Sequence, residues 1–150
     1  MRIFGGSATQ PAKGVEITLE FKEGMDMRDF SRKARALQDL AERGKLFKAP
    51  NPVVRDQYIT QKYRINIENQ AEKQWGMTQP DRVEAIEKLM IQRQADHMQD
   101  LQVKGLDHPS NLWMLQEKTN RDLGIQLRQQ IRKLPDHTPI DKVHIKGLLK

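Results

Sequence analysis

The chain has 150 residues, enough for one domain with one real core, but only 37% are hydrophobic and 5% aromatic, at a mean hydropathy of −0.79. Twenty-six Lys and Arg against twenty Asp and Glu give a net charge of +6, a balance that favours a polyanionic partner. The portions before and after residue 90 each carry +3, so no basic tail concentrates that charge. The absence of cysteine excludes disulfides and thiolate metal sites, and no apolar run approaches the ~18–20 residues that span a bilayer.

The opening residues lack the apolar mass of a signal peptide, and residues 1–14, with Gly5-Gly6-Ser7 and Pro11-Ala12-Lys13-Gly14, read as a flexible leader to a single domain over 15–150. Such a start suits a domain excised from a longer protein. Val15, Ile17, Leu19 and Phe21 alternate with polar residues, the period of a half-buried strand. A helix follows, with Asp26 as N-cap, an apolar stripe of Phe30, Ala34, Leu37, Leu40 and Ala41, and Gly44 closing it. Residues 46–58 read as a loop. A polar helix is expected over 59–74, ending at Gly76, and a second one capped by Thr78, with Pro80 in its first turn and Val83, Ile86, Leu89 and Met90 on one face.

From Asp96 to Val103 the pattern predicts a short strand running into a loop broken at Gly105, and residues 105–110 are dense in turn formers. Residues 111–115 form a brief apolar run. Leu123, Leu127, Ile131 and Leu134 then recur at helical spacing over 117–134, and Pro135 closes the segment. The order is β, loop, β, α. A last short strand is expected at 143–145. The fold class expected is α+β: an N-terminal strand and helices supporting a C-terminal ββα unit over 95–134.

A phosphodiesterase that works with one divalent ion needs hard oxygen donors beside an imidazole able to accept a proton from water. Residues 96–120 supply those types. The run Ala95-Asp96-His97-Met98-Gln99-Asp100-Leu101-Gln102-Val103-Lys104-Gly105, followed by Ser110-Asn111-Leu112, then Asn120 and Gly124, resembles the HNH (ββα-metal) endonuclease motif. More narrowly it is similar to HNH nuclease toxin domains at the C-termini of bacterial polymorphic toxins, including Rhs-type and secreted effectors. The motif covers about 30 residues.

The resemblance implies roles. Asp96 and Asn120 would ligate a divalent metal, Mg²⁺ first, with Mn²⁺, Ni²⁺ or Zn²⁺ as substitutes. His97 would be the general base, and Asn111 would bond backbone across the loop so that His97 points correctly. Asn in place of His at position 120 disfavours soft metals. The substrate implied is DNA rather than RNA, cut with little sequence preference; an acidic immunity protein and delivery into a target bacterium as part of a larger protein are the implied partner and destination. A site-specific restriction or homing enzyme, and a non-catalytic basic nucleic-acid-binding or adaptor module, are the rival readings. The candidates for backbone contact are Lys104, Lys118, Arg121 and Arg128 near the motif, and Arg55, Lys62 and Arg64 upstream.

Taken one at a time, each of these residues has a plainer reading. An Asp-His pair is usually a surface turn, Asn111 a turn residue, Asn120 a solvated helix position and the lysines and arginines a solvated face. The pair Asp107-His108 lies too close to Asn111 to leave room for a first strand, so His108 reads as a surface residue, and His137 and His144 fall downstream of the motif. Trp113 reads as core rather than a stacking platform, and Gly124 as a point of close packing.

Overall fold

A computed structural model describes residues 13–50, 56–105 and 108–147. It is an α+β structure in the order β1 (Val15–Glu20), α1 (Met27–Glu42), α2 (Gln57–Trp75), α3 (Pro80–Ile91), β2 (Arg93–His97), β3 (Leu112–Gln116), α4 (Glu117–Ile131) and β4 (Ile140–Lys146). Short 3₁₀ turns at Leu101–Val103 and Pro109–Asn111 shape the β2–β3 connection.

The core joins the two ends of the chain. β1 and β4 pair in parallel, with Ile17 opposite Val143 and Leu19 opposite Ile145. Ile17, Leu19 and Val143 pack with Phe30, Ala34, Leu37 and Ala41 of α1 and with Leu123, Leu127 and Ile131 of α4, all 4% exposed or less. The alternation of β1 and the stripe of α1 are therefore two sides of one interior. The open edge of β1 would leave peptide groups unpaired. α4 covers it instead: Gln130 accepts from the Thr18 amide and donates to its carbonyl, and Gln126 does the same at Glu20.

The second sheet is the antiparallel hairpin β2–β3, in which Asp96 stands opposite Trp113 and His97 opposite Leu112. β2 begins three residues earlier than the sequence reading placed it and ends at His97; Met98 to Val103 are loop and 3₁₀ turn. The Asp100 carboxylate, which caps that turn by accepting from the Gln102 amide, ends the extended stretch.

α1 grips this hairpin with two polar side chains, Asp29 buried and Arg32 exposed. Asp26 caps the helix by accepting from the Asp29 amide. The Asp29 carboxylate does not reach back to Asp26; it accepts from the Gln116 amide at 2.8 Å and from the Arg93 guanidinium. One turn on, Arg32 donates to the Met114 carbonyl at 2.6 Å and lies over the Trp113 ring, 4.5 Å from its centroid.

Three further sequence expectations shift. α2 spans residues 57–75, capped by Asp56, so the loop before it is shorter than expected. α3 has Gln79, not Thr78, at its N-cap position, and no side chain caps it; Pro80 at the first position supplies the fixed φ that starts the helix. Leu89, expected on the buried face of α3, is 56% exposed, while Val83 and Met90 are buried. α2 is amphipathic only weakly, burying Thr60 and Ala71, and packs beside α3 on the outer side of β2.

Candidate functional site

Asp96 and His97 end β2, and Asn120 lies in the first turn of α4. The β2–β3 hairpin and α4 thus bring Asp96, His97 and Asn120 to one open cleft of about 420 Å³, with Asp100 and Gln102 from the loop and Arg121, Gly124 and Arg128 from the helix. Asn120 and Arg128 are eight residues apart and Gly124 lies midway, so the three share one helix face.

Asp96 is only 3% exposed. Its Oδ2 accepts from Lys33 Nζ at 2.7 Å and from the Trp113 indole at 3.1 Å. Among the described residues no donor hydrogen-bonds Oδ1, so the carboxylate is held there through one oxygen. Lys33, on α1, is itself 2% exposed; it also donates to the His97 carbonyl at 2.6 Å, and Asp100 Oδ2 lies 4.0 Å from its ammonium. A buried ammonium needs such partners, because an unpaired ion inside a protein is strongly disfavoured.

Sequence reasoning missed Lys33, although a signal was present. Its position, three after Phe30 and four before Leu37, lies on the apolar stripe, and a charged residue there must find a counter-ion in the interior. Asp29, four residues earlier, stands on the same row and is also 2% exposed.

Asn111 spans the loop. Its Oδ1 accepts from the Gln99 amide and its Nδ2 donates to the Gln99 carbonyl, both at 2.9 Å, while the Asn111 carbonyl accepts from the Met98 amide at 2.7 Å. Gly105 also approaches Gln99, so closely that a Cβ added there would fall 1.7 Å from the Gln99 carbonyl oxygen. The residues just after His97 are thus held by Asn111 and closely approached by Gly105. His97 is 2% exposed and borders the cleft.

Asn120 Nδ2 donates to Gln94 Oε1 at 3.0 Å, which leaves its amide oxygen without a partner among the described residues. Gln94, two residues before Asp96 on β2, is a second contributor that the sequence did not single out.

The basic candidates separate. Arg121 and Arg128 line the cleft; Arg121 is 3.6 Å from Glu117, and Arg128 has no side-chain partner among the described residues. Lys104 is exposed, 2.8 Å from His137 Nδ1 and over the Phe47 ring, and Lys118 donates to Asp122 at 2.6 Å; neither lines the cleft. Lys62 lies over the exposed Tyr58 ring of α2. Arg64 donates to the carbonyls of Met90 and Arg93, fastening α2 to the α3–β2 junction, and faces a separate groove with Gln61 and Gln94. Arg55 lies outside the described residues.

The other histidines take local partners. His108 is exposed and accepts from the Ser110 amide through Nδ1. His144, on the exposed side of β4, sits 2.6 Å from Glu16, a contact that holds the Glu16 carboxyl below its usual range. Trp113 is half-buried, and its ring serves as a donor to Asp96 rather than as core filling. Gly124 is not a point of close packing, since an added Cβ would meet nothing within 4 Å.

Comparison with family models, curated proteins and solved structures returns no match for this chain.

Proposed function

We propose that the chain is a metal-dependent nuclease of the HNH type that hydrolyses phosphodiester bonds, with DNA as its substrate and an antibacterial toxin domain as its biological setting. The observation that carries this reading is the convergence of Asp96, His97 and Asn120 at one cleft of a ββα unit, beside Arg121 and Arg128.

In this reading His97 takes the proton from a water that attacks phosphorus, and the bond to the leaving sugar oxygen breaks. Asn111, through its hold on Gln99, fixes the loop that follows His97. Asp96 Oδ1 and the Asn120 amide oxygen are the donors for a divalent ion, which would stabilise negative charge on the leaving oxygen when bound. Among the described residues no three His, Asp or Glu side chains form a cation site by themselves. The donor set instead suits Mg²⁺, a hard ion that keeps several waters and shares substrate phosphates.

Incubation of the purified protein with supercoiled plasmid tests the proposal: nicking and degradation with Mg²⁺, none with EDTA and none for His97→Ala. Fragments without preferred ends support a non-specific toxin; discrete bands point to a site-specific enzyme. Expressed alone in a bacterium, the wild-type chain should be toxic with loss of DNA, and His97→Ala tolerated. The inhibitor implied by such toxicity is an acidic immunity protein, opposite in sign to the +6 chain. The place of action proposed is a target-cell cytoplasm reached as part of a larger secreted protein; no helix among the described residues is long and apolar enough to cross a membrane.

One observation favours a second reading. The Asp96 charge is already matched by Lys33, as it would be in a basic nucleic-acid-binding module without catalysis. Binding that persists in EDTA, with plasmid left intact in Mg²⁺, would decide for the module.

A further inference from the structure

The lining of the cleft contains a position with no side chain. Asn120, Gly124 and Arg128 follow one another at four-residue spacing along α4, which makes them neighbours in one row on the helix surface, and all three line the cleft. Glycine within a helix is less favourable than alanine, so its presence calls for a reason. Packing does not supply one, because among the described residues a Cβ at Gly124 would meet nothing within 4 Å. Backbone conformation supplies none either: Gly124 lies inside α4 and is not among the glycines with positive φ. What glycine does provide is bare main chain in the lining of an open cleft, where a ligand can approach the helix closely.

The surroundings indicate the chemistry of that ligand. Arg128, the next residue in the row, lines the cleft without a side-chain partner among the described residues, and Arg121 stands on the same helix. Gln102 Nε2 lies 3.4 Å from the Gly124 carbonyl oxygen and links the loop to α4 there. We propose that Gly124 and Arg128 form a subsite for a sugar–phosphate backbone, with the strand crossing α4 over the bare main chain and one phosphate held by Arg128. The subsite would keep the neighbouring phosphodiester beside Asp96, His97 and Asn120; that last step rests on the nuclease reading, whereas the binding itself does not.

The test substitutes Gly124→Ala and Gly124→Leu, with Gln129→Leu on the exposed part of α4 as control. Each is made with His97 intact for cleavage, and in a His97→Ala background for the anisotropy of fluorescein-labelled single- and double-stranded oligonucleotides. Because the position is open, Gly124→Ala should raise the melting temperature by roughly 2–4 °C, and Gly124→Leu should melt no lower than wild type. Gly124→Leu should nevertheless weaken oligonucleotide binding by roughly tenfold or more, Gly124→Ala by less, and Gln129→Leu not at all. Wild-type affinity in Gly124→Leu, equal weakening in Gln129→Leu, a lowered melting temperature in either Gly124 variant, or no oligonucleotide binding by the wild type would each overturn the subsite. Weakened binding in Gly124→Leu together with absence of cleavage in the wild type would uphold the subsite and discard the nuclease.

Discussion

Lys33 Nζ lies 2.7 Å from Asp96 Oδ2 and 2.6 Å from the carbonyl oxygen of His97, so one ammonium from the N-terminal helix holds both of the residues that end β2. Lysine and aspartate are each about 97% buried. The helix and the hairpin are 63 residues apart in sequence at this contact, and the pair makes the N-terminal half of the chain part of the site rather than a scaffold beside it.

Breaking the pair from one side should therefore cost more than removing both charges. Lys33→Met leaves the Asp96 carboxylate with the Trp113 indole as its remaining donor among the described residues and should destabilise the fold by about 3–5 kcal/mol. Lys33→Met combined with Asp96→Asn removes the stranded charge and should recover more than half of that loss. Urea denaturation of the two single variants and the double variant measures the coupling. A Lys33→Met variant within about 0.5 kcal/mol of wild type, the range of surface substitutions, would mean that Asp96 is hydrated and the pair contributes nothing.

The loop after His97 gives a local prediction. Asn111→Ala removes two part-buried hydrogen bonds to the Gln99 backbone, each contributing about 0.5–1.5 kcal/mol. Hydrogen exchange at the Gln99 amide should accelerate before global unfolding does. Gly105→Ala should produce the same local loosening by a different route, because its Cβ would collide with the Gln99 carbonyl. Unchanged protection of Gln99 in both variants would show that the loop is held from elsewhere.

How much of this was legible in the sequence depends on the range of the interaction. Period-two alternation in β1 and the Phe30–Ala41 stripe predicted elements and their buried faces, since both are local consequences of side-chain spacing. The partner of β1 was not legible. Residues 15–20 and 140–146 carry matching apolar positions, yet nothing local states that they pair in parallel across the whole chain. Asp96, His97, Asn111 and Asn120 were found through the motif they resemble. Lys33, Asp29 and Gln94 were passed over because their roles exist only once α1, β2 and α4 are assembled. Arg64 shows the converse: its basic neighbourhood suggested nucleic acid, and the structure commits its guanidinium to two main-chain carbonyls.

Metal binding can be read without measuring cleavage. The Trp113 indole donates to Asp96, so an ion ligated by Asp96 should alter its emission. In a Trp75→Phe, His97→Ala background with oligonucleotide present, Mg²⁺ should give a saturable change in Trp113 fluorescence. Asn120→Ala should shift the midpoint to higher Mg²⁺, and Asp96→Asn should abolish the response. A flat titration, with oligonucleotide bound, would remove Asp96 as a metal ligand and favour the binding module.

The arginines offer a contrast that separates binding from folding. Arg128 borders the cleft with no side-chain partner among the described residues, while Arg64 is engaged with the Met90 and Arg93 carbonyls. Each phosphate neutralised by a basic side chain releases counterions, and that release appears as dependence of affinity on salt. Arg128→Ala should therefore weaken oligonucleotide binding and reduce the log–log salt slope by about 1, with little change in melting temperature because the side chain is exposed. Arg64→Ala should do the opposite, lowering the melting temperature by loosening α2 from the α3–β2 junction while leaving the salt slope of the folded protein unchanged. The measurement is anisotropy between about 50 and 200 mM salt, a range over which phosphate contacts dominate affinity. If Arg64→Ala flattens the salt slope and Arg128→Ala does not, the nucleic acid runs along α2 and the α4 cleft is not its path.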